Sequence, residues 1–284
     1  MKNLTWQNPE QLFVAQELIN KVKSKCCGIK VLYVGIGKYI RLWDKFYSSC
    51  ESMFLPQYEK KYFIFTDYPL KSSTNVQVSF QEDLGWPQNV LFRYQMFLRH
   101  KEELKHFDYL FFFNGNTEFL QIITPEEFLP TEKEALTGLE WHTYRNKPLQ
   151  KYHYERRKNS QAYIPYNSGE HYYQGGLIGG ESKAYIELLE QCSLMTETDL
   201  KRNITARWHD ESYLNKYLLD KQIKILSTEY GRPQEWTVPP TPKIIFRDKN
   251  TILGASYICS LKKRNRLKLI SKAIRNILNK LLKR

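Results

Sequence analysis

The sequence predicts an α/β domain built around a mixed, mainly parallel sheet. Two apolar runs, at 29–36 and 62–66, are rich in β-branched and aromatic residues, as buried strands are. A stretch with the periodicity of a helix lies between them, at 41–55. Strand, helix and strand in this order form a βαβ unit, which implies that the two strands run parallel.

A third strand is predicted further along the chain. A helix at about 90–105 leads into the apolar run FDYLFFF at 107–113, which ends at Asn114-Gly115-Asn116. In open parallel sheets, ligands bind beyond the carboxyl ends of the strands. The segment from Gly35 to Tyr39 and the segment from Asn114 to Asn116 are therefore the expected walls of a binding site.

Two further features flank this domain. Asn8-Pro9 is a good helix start, and apolar residues then recur at helical spacing to residue 23, so 8–23 is predicted to be a helix. The proline-rich segment 237–242 is predicted to end the compact part, with a lid-like segment after it. We divide the chain into a helical extension (1–28), one main domain (29–255) and a tail (256–284).

The formal net charge of +13 is concentrated in this tail. Residues 261–284 hold ten of the 43 Lys and Arg residues and no acid, which leaves 33 basic against 30 acidic residues elsewhere. The tail's apolar side chains fall on one face of a helix: Leu267, Ile270, Ile274, Ile277, Leu278 and Leu281. A basic amphipathic helix favours an anionic membrane surface, and packing on the domain itself is the alternative. No aromatic residue interleaves the charges, which disfavours nucleic acid as a partner.

Cysteine usage and hydropathy favour a cytoplasmic protein, held at the inner face of the membrane by the basic tail. The five cysteines are an odd number without C-x-x-C spacing, as in a chain with reduced thiols. No run approaches 18 uninterrupted apolar residues, and the N-terminus, which begins Met1-Lys2-Asn3-Leu4, has no apolar signal-peptide core.

Several polar segments have the residue types that catalysis needs, although each also has an ordinary structural explanation. Asp210 and Glu211 precede a helical apolar pattern, and adjacent helical residues point about 100° apart, so the two acids should do different jobs. Helix capping is the alternative.

Asn114 and Asn116 are neutral amides, which hold Mg²⁺ or Mn²⁺ poorly, and on the pattern alone a tight turn is favoured. The pair Gly175-Gly176 lets a ligand approach the backbone, or two elements pack closely.

The joint order of these segments resembles glycosyltransferase family 6, which includes the histo-blood-group A and B transferases and the α-1,3-galactosyltransferase. The resemblance spans roughly 29–250 and is carried by seven motifs in order: FTD (65–67), GW (85–86), NGN (114–116), YERR with SQAYIP (154–165), YYQGG (172–176), WHDESYLNKY (208–217) and RDKN (247–250). It implies the GT-A fold, a single nucleotide-sugar-binding domain, and a retaining hexosyltransferase.

The resemblance also implies a donor site and a catalytic residue. Glu211 matches the family's catalytic glutamate, as nucleophile or as stabiliser of an oxocarbenium-like transition state. Asn114 and Asn116 occupy the positions of a metal-binding DxD motif, so no divalent cation is expected, and Lys249 and Arg247 are the candidates to offset the diphosphate charge. The implied donor-binding positions are Val34, Ile36, Tyr39, Arg93, Asn114, Asn116, Gln174, Gly175, Gly176, His209, Asp210, Arg247 and Lys249.

The resemblance leaves the acceptor and the donor sugar less defined. The family's acceptor-binding His-Pro pair appears here as Trp141-His142, one residue out of register, and His153 stands where Thr is usual. The implied acceptor-binding positions are Trp141, His142, His153, Trp208 and Glu211. Because Gly175 and Gly176 leave room for an N-acetyl group, UDP-GalNAc is favoured over UDP-Gal, with a galactoside-terminated and lipid-linked glycan as the expected acceptor. A carbohydrate-binding protein that has lost catalysis is the alternative of another class.

Overall fold

The computed structural model describes residues 28–141, 143–144, 147–237 and 239–261. Within these residues a seven-stranded sheet has the order β3-β2-β1-β4-β7-β6-β8. Its strands are β1 (Ile29–Val34), β2 (Lys60–Thr66), β3 (Val76–Phe80), β4 (Tyr109–Phe113), β6 (Leu136–Glu140), β7 (Tyr173–Glu181) and β8 (Lys224–Leu226). The first four strands are parallel, while β7 runs antiparallel to β4 and β6. The predicted mixed, mainly parallel sheet is confirmed.

Alternation along the strands divides the core into two layers, one on each face of the sheet. Leu32 and Phe63 pack on one face, against the helices that follow β3 and β7, and Val31 and Ile64 pack on the other. The helices are α1 (Trp43–Met53), α2 (Gln88–Leu91), α3 (Arg93–Leu98), α4 (Lys101–Leu104), α5 (Pro125–Phe128), α6 (Ser182–Lys201), α7 (Asp210–Leu218) and α8 (Lys249–Leu253). Three segments are 3₁₀ helices: Gly37–Leu42, Leu149–Lys151 and Thr228–Tyr230.

The single helix predicted at 90–105 is instead divided into α2, α3 and α4. The backbone leaves helical geometry at Phe92 and again at His100. The second break brings the His100 ring to 4.3 Å from the Phe63 ring and its Nε2 to 3.0 Å from Ser79 Oγ. Contacts with distant strands therefore override the local helical pattern.

The expectation that the compact domain ends at 237–242 is wrong. Residues beyond it form β10 (Ile244–Phe246), which pairs with β5 (Thr117–Phe119) and β9 (Arg232–Pro233) in a second sheet. Ile244 is fully buried in the core, so the pairing has a hydrophobic basis. This small sheet fixes the chain that leads to Arg247 and Lys249.

The predicted N-terminal helix at 8–23 and most of the basic tail lie outside the described residues. Residues 255–261 are helical. Within the ranges that the structure covers, no helix is both long and apolar enough to cross a bilayer.

Candidate active site

A cleft lies beyond the carboxyl ends of β1 and β4, where the strand pattern predicts it. Residues from both strand ends line it, together with α3 and the C-terminal segment: Val34, Ile36, Tyr39, Arg93, Asn114, Asn116 and Lys249. A second cleft shares Tyr39, Asn114, Asn116 and Lys249 with the first, and adds Trp141, Gln174 and Arg247. The chain fold thus brings together ten of the predicted donor- and acceptor-site residues.

The turn after β4 is tied to two other segments by its asparagines. The Asn114 backbone N–H donates to Gly176 O at 2.8 Å. The Asn116 side chain is buried and donates through Nδ2 to Arg247 O at 2.7 Å, and the Arg247 N–H donates back to Asn116 O at 2.8 Å. Asn116 therefore uses its amide as a hydrogen-bond donor, which an aspartate in this position could not do.

Replacing Asn116 by Asp is expected to destabilise the protein, because a carboxylate oxygen would then face the Arg247 carbonyl oxygen. The expected loss is about 1–3 kcal/mol in the free energy of unfolding, the usual cost of an unmet buried hydrogen bond. Denaturant unfolding at neutral pH measures it, with the exposed Asn167→Asp as a control for the added charge. Equal stabilities of the two variants would contradict this role of Asn116.

A buried ion pair joins α3 to the start of α7. Arg93 Nη2 lies 2.6 Å from Asp210 Oδ2, and both side chains are almost fully buried. Arg93 Nη1 also donates to Gly175 O at 2.9 Å, and its guanidinium lies 4.0 Å from the centre of the Phe112 ring. The network fixes Gly175 beside the carboxylates of α7.

Glu211 has a different set of partners from its neighbour Asp210, as the helical geometry predicts. Tyr172 Oη donates to Glu211 Oε1 at 2.6 Å, and the Gly175 N–H donates to Oε2 at 2.8 Å. Burial raises the pKa of Glu211 to about 7, although both hydrogen bonds oppose the shift. The carboxylate is thus held in place and changes charge near neutral pH.

His209 precedes this helix in a left-handed backbone conformation, with a φ of 54°. Such angles are uncommon for residues other than glycine, and they concentrate at functional sites. The His209 ring makes an edge contact with Trp86, at 4.9 Å between ring centres. Trp86 lines both clefts, so the turn connects α7 to the cleft wall.

Aromatic side chains form a platform that contacts Glu211 through the Tyr172 hydroxyl. Trp208 stacks on His153, with ring centres 4.9 Å apart and planes at 10°. His153 Nδ1 is hydrogen-bonded to Tyr144 Oη, and the Tyr144 ring packs on Tyr172 at 4.9 Å. His142, also predicted to bind the acceptor, lies outside the described residues.

The two predicted phosphate-binding cations differ in their surroundings. Arg247 Nε pairs with Glu118 Oε2 at 3.2 Å, so its charge is partly offset. Lys249 Nζ lies 5.8 Å from the centre of the Tyr39 ring, and burial lowers the pKa of this lysine. In the described part of the chain Lys249 has no acidic partner, which makes it the stronger candidate.

Acidic metal ligands are not grouped in this cleft. Among the described residues, no three His, Cys, Asp or Glu side chains come together in a way that could hold a metal ion. The two asparagines and Lys249 line the cleft instead.

Some residues that contact Glu211 or line the cleft were not predicted as site residues. Tyr172 is one; it lay in a recognised motif, but its bond to Glu211 spans 39 positions. Tyr257, placed in the predicted tail, lines the cleft and accepts a hydrogen bond from the Lys38 N–H at 3.1 Å. Trp86 lines both clefts and was not predicted as a site residue either. The Gly85-Trp86 motif was the sequence signal that could have indicated it.

Comparison with known proteins decides the family. Residues 10–249 match the model of glycosyltransferase family 6. The chain belongs to this family. Family 6 members are transferases, so the protein is a hexosyltransferase that uses a nucleotide-sugar donor and a glycan acceptor, and its sheet is that of the predicted GT-A fold.

Relatives of this family 6 glycosyltransferase come from bacteria and vertebrates. It is 38% identical over 224 residues to the O-antigen biosynthesis glycosyltransferase WbnI of Escherichia coli, covering 78% of this chain and 94% of the relative. It is 32% identical over 224 residues to the globoside alpha-1,3-N-acetylgalactosaminyltransferase 1 of Gallus gallus (75% and 64%). The histo-blood group ABO system transferase 1 of Rattus norvegicus is 29% identical over 238 residues (80% and 66%). The chain thus spans about two thirds of the vertebrate relatives.

Proposed function

We propose that this enzyme transfers N-acetylgalactosamine from UDP-GalNAc in α-1,3 linkage to a terminal galactoside, which can be fucosylated, without a divalent metal. The observation that carries the proposal is the position of Glu211, fixed between Tyr172 and Gly175 beside a cleft that offers amides and a lysine. The bond from the anomeric carbon to the UDP oxygen breaks, and UDP leaves with the electron pair. A bond from that carbon to the acceptor oxygen forms, and the acceptor proton ends on the departing phosphate or on Glu211.

The choice of donor sugar rests on the glycine pair next to Glu211. A Cβ on Gly175 would meet its neighbours, among them Arg93 Nη2 and Asp210 Oδ2, at ordinary contact distances of 3.5 Å or more, so the backbone here has room for a group the size of a methyl. A Cβ on Gly176 would come within 2.7 Å of Asn114 Nδ2. The name of the Gallus gallus relative, an alpha-1,3-N-acetylgalactosaminyltransferase, supports both the sugar and the linkage. UDP-Gal is the alternative donor.

The chemistry of the cleft supports a reaction that does not need a divalent metal. Amides are weak ligands for Mg²⁺ and Mn²⁺, which prefer anionic oxygens. Asn116 also uses its amide to hold the segment that carries Lys249. A lysine ammonium near the diphosphate can supply the positive charge that a cation supplies elsewhere.

Donor turnover with UDP-GalNAc and UDP-Gal, each with and without EDTA, tests the proposal. We expect faster turnover of UDP-GalNAc and no effect of EDTA. Loss of turnover on chelation, with recovery on adding Mn²⁺, would refute the metal-free mechanism, and a preference for UDP-Gal would refute the donor assignment. Failure to turn over either donor would contradict the enzyme activity itself.

The pH dependence of the reaction is expected to follow Glu211. Because its pKa is raised to about 7, kcat/KM should rise as pH increases through about 7 and level off above it. Tyr172→Phe removes a hydrogen bond to the carboxylate, so the midpoint of the profile should move to higher pH. Tyr217→Phe, which removes a hydroxyl bonded to Glu187, is the matched control. A wild-type profile without an inflection near 7, or a Tyr172→Phe midpoint that does not move, would contradict this assignment.

The basic tail supports a location at the inner face of the cell membrane, next to a lipid-linked acceptor. Ten cations without an acid in 261–284 favour binding to anionic lipid. Pelleting with anionic and with neutral liposomes, for the full chain and for a chain ending at residue 260, tests this part. Equal pelleting of the two chains would contradict membrane binding by the basic tail.

A further inference from the structure

A pocket separate from the donor cleft lies beside Trp208, and its lining is strongly basic. It is bounded by Glu155, Arg156, Arg157, Thr205, Arg207 and His209. Three arginines and one glutamate therefore line this pocket. Because His209 also contacts Trp86 in the wall of the donor cleft, this pocket adjoins that cleft.

Two of the three arginines have structural partners. Arg156 donates to the backbone carbonyl oxygens of Ile164 and Leu149, both at 2.8 Å. Arg157 Nε donates to Glu155 Oε1 at 2.9 Å, and its Nη2 donates to Thr205 O at 2.7 Å. These bonds shape the pocket, and the Glu155 charge is offset by Arg157.

Arg207 is placed differently. Its backbone N–H donates to Glu155 Oε2 at 2.8 Å, while its guanidinium lies 5.8 Å from the centre of the Trp208 ring. In the ranges that the structure describes, no carboxylate pairs with this guanidinium. A planar cation next to an aromatic platform is oriented to bind a planar or tetrahedral anion.

A second exposed cation, Lys147, contacts the same platform. Lys147 Nζ lies 5.0 Å from the centre of the Tyr144 ring, which is hydrogen-bonded to His153. Burial first, and then the charges of Arg207 and Lys147, lower the pKa of His153. Both cations are therefore close to the stacked pair of Trp208 and His153. A neutral sugar stacked on this pair would leave both charges without a partner.

We propose that the acceptor glycan carries an anionic group, a carboxylate or a phosphate, close to the sugar that is modified, and that Arg207 binds this group in the pocket beside Trp208. This inference rests on the proposed function, because it concerns the acceptor of that reaction. It adds a charge requirement to the acceptor, which the terminal galactoside alone does not have.

Three acceptors with the same terminal β-galactose separate the possibilities: lactose, lactobionate and lactose 1-phosphate. At low salt the wild-type enzyme is expected to have a kcat/KM about fivefold to tenfold higher with at least one anionic acceptor than with lactose, mainly through KM. Comparison of lactobionate with lactose 1-phosphate shows whether the pocket prefers a carboxylate or a phosphate. Raising the salt concentration should reduce the preference, because the arginine is exposed.

Arg207→Gln is the decisive variant, and Arg202→Gln, at an exposed arginine that does not line the pocket, is the matched control for lost charge. The ratio of kcat/KM values for anionic and neutral acceptors should fall towards one in Arg207→Gln and stay as in the wild type in Arg202→Gln. Equal kcat/KM values in the wild type, or equal ratios in the two variants, would overturn the inference while leaving the proposed function intact. An enzyme that transfers to none of the three, and hydrolyses no donor, would instead contradict the proposed function and this inference with it.

Discussion

Replacing Glu211 by Gln is expected to lower kcat by about 10³-fold, the scale seen when a charged group that stabilises a transition state is removed. The amide can keep the local geometry, because its oxygen can accept from the Gly175 N–H while its NH₂ donates to Tyr172 Oη. The variant therefore removes the charge and keeps the shape. Steady-state kinetics with the donor and a galactoside acceptor measure the loss.

The same substitution is expected to stabilise the protein at alkaline pH. The pKa of Glu211 rises from its ordinary 4.5 to about 7 on folding, so the folded state holds its proton more tightly than the unfolded state. Wild-type stability is then lost as pH rises from 4.5 to about 7, and Gln has no such loss. The free energy of unfolding of Glu211→Gln should exceed that of the wild type by about 3 kcal/mol above pH 7 and approach it as pH falls to 4.5 and below.

These two effects go in opposite directions, which makes the test specific. Glu187→Gln on α6, at an exposed glutamate, serves as the control for removal of a carboxylate. A Glu211→Gln enzyme with wild-type kcat would exclude Glu211 as the catalytic carboxylate. A stability difference that does not change with pH would show that the raised pKa is wrong.

Replacing Lys249 by Met is expected to cause the second largest loss of activity. If this ammonium stabilises the leaving diphosphate, kcat should fall by about 10²-fold, and the affinity for UDP should fall by at least about tenfold. Lys249→Arg keeps the charge at the cleft and should retain more activity than Lys249→Met. Activity assays and direct titration with UDP measure the two quantities.

The position of Lys249 gives the reason to expect this. It is the first residue of α8, where the Asp248 side chain accepts hydrogen bonds from the N–H groups of Asn250 and Thr251. Its burial lowers its pKa, so the charge is costly in the free enzyme, and an anionic ligand would relieve that cost. Lys183→Met, at an exposed position of α6, is the matched control. Wild-type affinity for UDP in Lys249→Met would show that another group, such as Arg247, holds the diphosphate.

The strand pattern predicted the location of the cleft well, because the relevant signals are local. A run such as YLFFF ends at a polar turn, and a parallel sheet brings such turns to one edge. The breaks between helices, and the pairing of strands that lie far apart in the chain, were predicted less well. The division of 90–105 depends on contacts of His100 with Phe63 and Ser79, and the order of β10 in the second sheet depends on β5, more than 100 positions earlier.

The sequence by itself determined the βαβ core and the order of the motifs, and the resemblance of these motifs indicated the family and made Glu211 the candidate catalytic residue. These follow from periodicity and from short segments whose residue types are visible without a fold. Only the tertiary structure decided the partners of each group: Asp210 pairs with Arg93, Glu211 bonds to Tyr172 and Gly175, Asn116 holds the backbone of Arg247, and Arg207 stands unpaired beside Trp208 in the region described. Charge and burial depend on neighbours that lie far away in the chain, and local patterns carry no record of such contacts.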